Sequence, residues 1–226
     1  MKFYIAFLWF ILFSFTGIAQ EKRIVIVSPF SALKIFSGMD VQLIPSEENK
    51  VIVYGDYQQS VIVQQKGSTL KIKQSITSLI TKEFSFVEIY FSQPVNHITA
   101  NQRSKITAKQ LLEQEEISLK VREGSKVALE IDSEKIKSNV ATGGRLTLEG
   151  TTKTLYLKIN SGGSCEAEKL KAESVVTHVV AGGVAYVNAK DQLEAKVTGG
   201  GIVRVFSKPR KQITQTTLGG KIIVND

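Results

Sequence analysis

Residues 161–170 read SGGSCEAEKL, and residues 181–190 read AGGVAYVNAK. Each stretch begins with a small residue and two glycines, and the second and fourth residues after them are apolar. The same layout returns as TGGRLTLE at 142–149 and as TGGGIVRV at 198–205. A layout that recurs at one short period is typical of a solenoid, in which each repeat forms one coil of a stack.

The period is marked by the second glycine of each pair and, earlier in the chain, by two serines. Residues two and four places after every mark are apolar, and the residue five places before it is polar. Alternation of this kind predicts one strand that runs into a corner and another that leaves it. The marks are Ser104, Ser125, Gly144, Gly163, Gly183, Gly201 and Gly220.

We therefore expect an all-β chain that forms a parallel β-helix-like solenoid with coils of about 19–20 residues. A coil of this length has no room for a crossover helix. Glycine at the corners would supply positive φ angles. An antiparallel sandwich is the alternative, because it also has regularly spaced strands, but it would not explain ladder positions that repeat at one coil length.

The N-terminal half has strand patterns without the glycine marks. We predict that these strands form wider coils that cap the stack, since an open end must be covered. Residues 75–82 lack strand alternation and are predicted as a loop or a short helix. The predicted strands are 23–27, 33–35, 41–44, 51–54, 61–64, 70–72 and 87–91.

Residues 1–19 have the features of a secretory signal peptide. Lys2 precedes an apolar stretch, and Gly17 and Ala19 are the small residues of a cleavage site before Gln20. A membrane anchor is the alternative, but a spanning helix needs about 20 apolar residues. We expect one continuous domain over 20–226, without a transmembrane segment after cleavage, in the periplasm, at the cell surface or outside the cell.

The excess of positive charge could serve an anionic partner. Lys and Arg number 29 against 21 Asp and Glu, and the apolar fraction of 42% is enough for a packed core. The single Cys cannot form an internal disulfide. Cys165 could act as a nucleophile with His178 as base, but the register places Cys165 inside the stack and His178 outside on another strand.

Enzymes of the β-helix type that cleave glycans need acids that converge on one face. Three places after each mark only Glu166 is acidic, and five places before it no acid occurs. The glycine pairs lack the Lys-Ser/Thr of a phosphate loop, and no Asp recurs before them as in calcium-binding β-rolls. We predict no catalytic residue, no cofactor and no metal site.

A partner surface is the remaining prediction. Lys120, Lys158 and Lys196 share one outward column with Arg122 beside it, and Tyr186 and Ile223 occupy other outward positions. The partner would be a cell-surface glycan, a protein or a second copy. Nucleic acid is not expected, because the chain is exported and lacks an aromatic-basic platform. The simpler interpretation is that the lysines keep exposed sheets soluble and that scattered surface apolars are normal.

The whole pattern resembles the GIN-domain family over residues 30–207. The resemblance is carried by FSALKIFSGMDVQLIPSEENKVIVYGD at 30–56, by GSTLKIKQ at 67–74 and by the glycine stretches. Members of that family are secreted domains of unknown function, common in Bacteroidota, and their role as auto-transporter adhesin heads is an inference. The resemblance implies an exported β-helix-like domain and no catalytic residues.

Function follows from these expectations. A true auto-transporter needs a C-terminal membrane barrel, and we expect none because the sequence stops at Asp226 directly after a strand. We predict a non-catalytic secreted or envelope module for binding or adhesion through exposed sheet faces. An envelope structural or assembly protein is the alternative, followed by a carbohydrate-active β-helix enzyme.

Overall fold

The computed structural model describes residues 22–55, 58–75 and 86–225. The predicted signal peptide lies outside these residues, as does the predicted loop or short helix at 75–82 apart from Ser75. Within the described ranges, no helix is long and apolar enough to cross a bilayer.

Seventeen strands of the described chain join in one sheet that winds around a common core. A short 3-10 helix, Gln58–Ser60, precedes β5. The strands of the first half are β1 (Lys22–Ile26), β2 (Ala32–Ile35), β3 (Asp40–Pro45), β4 (Lys50–Tyr54), β5 (Val61–Lys66), β6 (Thr69–Gln74), β7 (Phe86–Phe91), β8 (His97–Ala100) and β9 (Lys105–Ala108). Those of the second half are β10 (Leu112–Val121), β11 (Lys126–Val140), β12 (Arg145–Ile159), β13 (Ser164–Val180), β14 (Val184–Thr198), β15 (Ile202–Val205), β16 (Lys211–Thr217) and β17 (Lys221–Val224).

The second half is a stack of parallel coils. Val140 lies in register with Val121 of the coil before it and with Ile159 of the coil after it. The predicted all-β solenoid is confirmed, with about seven turns. Each coil has one tight corner, formed by a glycine pair or, between β10 and β11, by Glu123 and Gly124. On its other side it has one looser bend, where two successive side chains such as Glu134 and Lys135 both point outward.

The two glycines of a corner have different tasks. Thr142 and Gly143 both adopt left-handed backbone, with φ of 51° and 69°. Gly144 is needed for space, because a Cβ there would lie 2.3 Å from the carbonyl oxygen of Val121. Positive φ, which the sequence analysis assigned to glycine pairs as a whole, is thus required at the first glycine, while the second allows adjacent coils to approach closely.

The core consists of side chains stacked one above another along the coils. Leu146, Cys165 and Ala185 form one such row, and each is at most 1% exposed. Burying one aliphatic side chain contributes roughly 1.5–3 kcal/mol. The long rows of buried residues therefore stabilise the stack without a disulfide or an α-helix in its described part.

The first half stacks out of chain order. The β2–β3 coil turns at Ser37 and Gly38, both with positive φ, and lies between β8–β9 on one side and β6–β7 on the other. Antiparallel strands then close this end, with β4 between β7 and β1, and β5 beside β6. The N-terminal strands therefore cover the end of the stack, as antiparallel edges as well as coils.

Candidate binding surface

One row of outward positions crosses ten adjacent strands of the stack, and we call it the lysine column. Each member is the register partner of the next, so the side chains lie along a line parallel to the stacking axis. Every member is at least partly exposed. In spatial order the lysine column consists of Gln64, Lys71, Lys34, Thr99, Lys120, Asn139, Lys158, His178, Lys196 and Gln215.

The spacing of the cations follows from the sheet. Adjacent strands lie about 4.8 Å apart, so Lys120 and Lys158, with Asn139 between them, stand roughly 10 Å apart. Lys158 and Lys196 are separated in the same way by His178. From Lys71 to Lys196 the column extends over roughly 34 Å. It is a line of positive charges and contains no carboxylate.

The lysine column is also not neutralised by its surroundings. Other lysines of the described chain form ion pairs between neighbouring coils, as Lys135 and Lys137 do with Glu116 and Lys169 does with Glu149. None of the described ion pairs includes a lysine of the column. Ion pairs with carboxylates thus occur at some of the lysines elsewhere in the described chain and at none of those in the column.

Further polar and aromatic groups flank the middle of the column. Tyr156 lies in the adjacent outward row, is 43% exposed and lines a shallow cavity of about 320 Å³ together with Lys120, Lys137 and Lys158. The buried Oδ1 of Asn139 has no hydrogen-bond partner in the described protein. The row of Tyr156 contains a single acid, Glu194, in register with Val176 and Ile213.

The predicted lysines Lys120, Lys158 and Lys196 all stand in this column, with exposed Arg122 two residues beyond Lys120. Sequence reasoning missed Lys34 and Lys71, because the coil that contains Lys34 stacks out of chain order. Lys71 places its Nζ 5.0 Å from the ring centre of Phe36, a cation–π contact. Both lysines line a second cavity, of about 750 Å³, on the same face.

Tyr186 and Ile223 lie elsewhere. They belong to the strand segments that leave the corners, where Tyr186 pairs in register with Arg204 and Arg204 with Ile223. The Tyr186 and Phe206 rings lie 6.1 Å apart. The structure thus divides the six predicted surface residues into two separate groups: a basic one on the lysine column and an apolar one near the C-terminal end of the stack.

The geometry does not bring Cys165 and His178 together as a catalytic pair. Cys165 is fully buried, and burial raises the pKa of its thiol far above the ordinary value. His178 is exposed in the lysine column. A thiol that stays protonated and has no base beside it is not a nucleophile.

Acidic residues do gather on one face, contrary to the sequence prediction. They line a groove of about 940 Å³ along the bends of the coils, and Glu113 is the direct register partner of Asp132. Sequence reasoning missed this groove because it compared only two outward positions of each coil and neither lies at the bend. The acids in the groove are Glu113, Glu115, Asp132, Glu134 and Glu173.

The groove does not hold a carboxyl group in the desolvated position that the general acid of glycan hydrolysis usually occupies. Asp132 accepts a hydrogen bond of 2.7 Å from the Thr151 hydroxyl, and Glu134 pairs with Lys153. All five acids are exposed, whereas a general acid is usually held in a desolvated site. Among the described residues, no three His, Cys, Asp or Glu side chains could together hold a metal ion.

The chain is similar in sequence to a known protein family. A family model described as "Putative auto-transporter adhesin, head GIN domain" matches residues 29–209. No curated protein is significantly similar to the chain.

Solved structures share the architecture at low sequence identity. A "putative adhesin" from Bacteroides fragilis NCTC 9343 superposes with a TM-score of 0.82 at 19% identity, covering 91% of this chain and 96% of that one. A "putative adhesin" from Parabacteroides merdae ATCC 43184 gives 0.73 at 16%, and a "putative lipid binding protein" from Parabacteroides distasonis ATCC 8503 gives 0.72 at 15%, both with the same coverages. At these identities the likeness establishes the fold alone.

Proposed function

The chain belongs to the family described as "Putative auto-transporter adhesin, head GIN domain", and we propose that it is a non-catalytic binding or adhesion module of the secreted or envelope class. Its ligand is anionic and binds the exposed sheet face that contains the lysine column. Side chains alternate along each strand, so the inward residues build the core while the outward residues of the same strand remain free for a partner.

The observation that carries this proposal is the unneutralised lysine column. Several lysines elsewhere in this stack form ion pairs with a carboxylate of a neighbouring coil, although each such exposed pair contributes little stability. A line of cations without carboxylates leaves a positive potential at the surface, which attracts anions and speeds their association. Plain solvation would be served equally well by lysines alternating with acids.

A binding screen tests the proposal. The purified protein is applied to an array of neutral and anionic glycans and to vesicles with neutral or anionic headgroups. We expect retention by anionic ligands, loss of that retention at high salt because charges are screened, and weaker retention after Lys120→Gln with Lys158→Gln. The proposal fails if nothing anionic is retained, or if the double variant binds as well as the original protein.

Envelope assembly is the second candidate, and the apolar group near the C-terminal end favours it. Ile223 is 38% and Phe206 41% exposed, and β17 has a strand neighbour on one side only among the described strands. An exposed edge beside apolar side chains can pair with another copy. Sedimentation over a range of concentrations tests this: a concentration-dependent dimer that Ile223→Lys abolishes supports assembly, and a monomer at all concentrations contradicts it.

A further inference from the structure

The spacing of the lysines in the lysine column also indicates which class of anionic ligand fits it. Resting on the proposed function, we infer that the column binds a linear acidic polysaccharide that has one charged group on every second sugar. The polymer lies parallel to the stacking axis and crosses the strands. Its charged groups meet the lysines at intervals of two strands.

A compact anion would not use this surface. Lys34, Lys120, Lys158 and Lys196 follow one another at intervals of two strands, roughly 10 Å each. A free phosphate or a single headgroup reaches one or two of these charges. An extended polymer meets all of them at once, and its successive contacts act at high effective concentration because they belong to one chain.

The distance between successive lysines also favours an acidic polysaccharide over a nucleic acid as the ligand. Each strand of duplex DNA has a phosphate about every 3.4 Å along the axis, so most phosphates over this surface would have no lysine. Proteins that hold single strands add a series of aromatic rings for base stacking. Here Tyr156, at 43% exposure, is the exposed large aromatic of its row. One sugar ring in a linear chain is about as long as the gap between adjacent strands, so a polysaccharide with charges on alternate sugars presents one charge for every second strand, as the lysines do.

The groups between the lysines suit sugars. The ring of Tyr156 offers a flat apolar surface beside Lys158, and Asn139 and Thr99 alternate with the lysines as hydroxyl partners. A membrane surface would favour apolar anchors among the cations, and in the middle of the column the residues between lysines are polar.

Calorimetry with hyaluronan and unsulfated chondroitin oligosaccharides of 2 to 20 sugars tests the inference, since both have one carboxylate per disaccharide. We expect affinity to rise with length until the oligosaccharide spans the column and then to level off. Lys120→Gln with Lys158→Gln should weaken binding of the long oligosaccharides roughly tenfold. The disaccharide should bind too weakly to show a difference.

A matched control separates the column from general positive charge. Lys126→Gln with Lys221→Gln removes the same charge from the strand segments that leave the corners, where both lysines are exposed and without an ion pair in the described chain. We expect this variant to bind like the original protein. Equal weakening of both double variants, or affinity independent of length, would overturn the inference.

Other outcomes distinguish the inference from the proposed function. If neither oligosaccharide binds while anionic vesicles do, the polysaccharide class is wrong and the anionic-ligand proposal stands with a lipid as ligand. Preference for single-stranded DNA at equal charge concentration would likewise replace the polysaccharide. If no anionic probe binds, both the inference and the proposed function fail.

Discussion

Lys34 and Lys71 are register partners on adjacent parallel strands, β2 and β6, and their side chains lie on the same face. Two positive charges therefore start from backbone positions about 4.8 Å apart. Like charges directly opposite each other destabilise a sheet. The contact of Lys71 with the Phe36 ring relieves part of this cost, but no described carboxylate pairs with either lysine. We interpret the pair as a stability cost that the proposed binding surface retains.

This interpretation predicts that a lysine can be removed with a gain in stability. Lys34→Gln should raise the free energy of unfolding by about 0.2–1 kcal/mol at low ionic strength, because the repulsion ends and no partner is lost. The gain should shrink in 1 M salt, where the screening length is about 3 Å. Urea unfolding at both salt concentrations measures it, with Lys221→Gln as the control, because the described register partner of Lys221 is the uncharged Ile202. A loss of stability in Lys34→Gln would show that the lysine has a structural partner.

The two glycines of one corner should respond differently to substitution. Gly144→Ala should cost about 1–3 kcal/mol, the usual penalty of overpacking, since its Cβ meets the Val121 carbonyl and neither backbone can move freely. Gly143→Asn should cost much less, because nothing lies within 4 Å of a Cβ there and Asn tolerates positive φ. Thermal unfolding of both variants checks the order. Equal costs would mean that close approach does not select the second glycine.

Cys165 should behave as a core residue. Burial raises the pKa of its thiol, so a thiol reagent at pH 8 should label it only after denaturation. Cys165→Ser should destabilise the protein by about 1–3 kcal/mol, because a hydroxyl would be buried in an apolar row. Labelling with and without denaturant, and unfolding of the variant, measure the two effects. Fast labelling of the native protein would contradict the buried assignment.

Deprotonation of Tyr54 should lower the stability of the protein at alkaline pH. Burial, together with the hydrogen bond that its hydroxyl donates to Glu88, raises the pKa of Tyr54 to about 12. The unfolded value is near 10, so the contribution is complete below pH 10 and is lost as pH rises from 10 to 12. The stability difference between the original protein and Tyr54→Phe should therefore shrink over that interval. Tyr156→Phe serves as the control, and a constant Tyr54→Phe difference would argue against the assigned titration.

The second half of the fold could be predicted from the sequence because the sequence patterns that define it are local. The glycine pairs mark the corners, and inward residues such as Leu146 and Cys165 recur one coil apart, so register follows from counting. The bends were less visible, since they are marked only by two successive outward residues such as Glu134 and Lys135. For that reason the acidic groove was not predicted.

The first half could not be assembled in the same way. Ser37 and Gly38 form a corner like the later ones, but chain order gives no indication that this coil stacks beside both β6 and β8. That arrangement depends on contacts between residues distant in sequence. This stacking extends the lysine column, because it adds Lys34 and Lys71 to the lysines that could be aligned from the sequence.

Lysine footprinting tests the central claim most directly. The protein is acetylated at limited reagent concentration with and without a hyaluronan or chondroitin oligosaccharide of 20 sugars, and protection at each lysine is read by mass spectrometry. We expect protection of Lys34, Lys71, Lys120, Lys158 and Lys196, which are scattered along the sequence but aligned in the stack, while Lys126 and Lys221 remain unprotected. Uniform protection of all exposed lysines, or protection confined to Lys126 and Lys221, would contradict it.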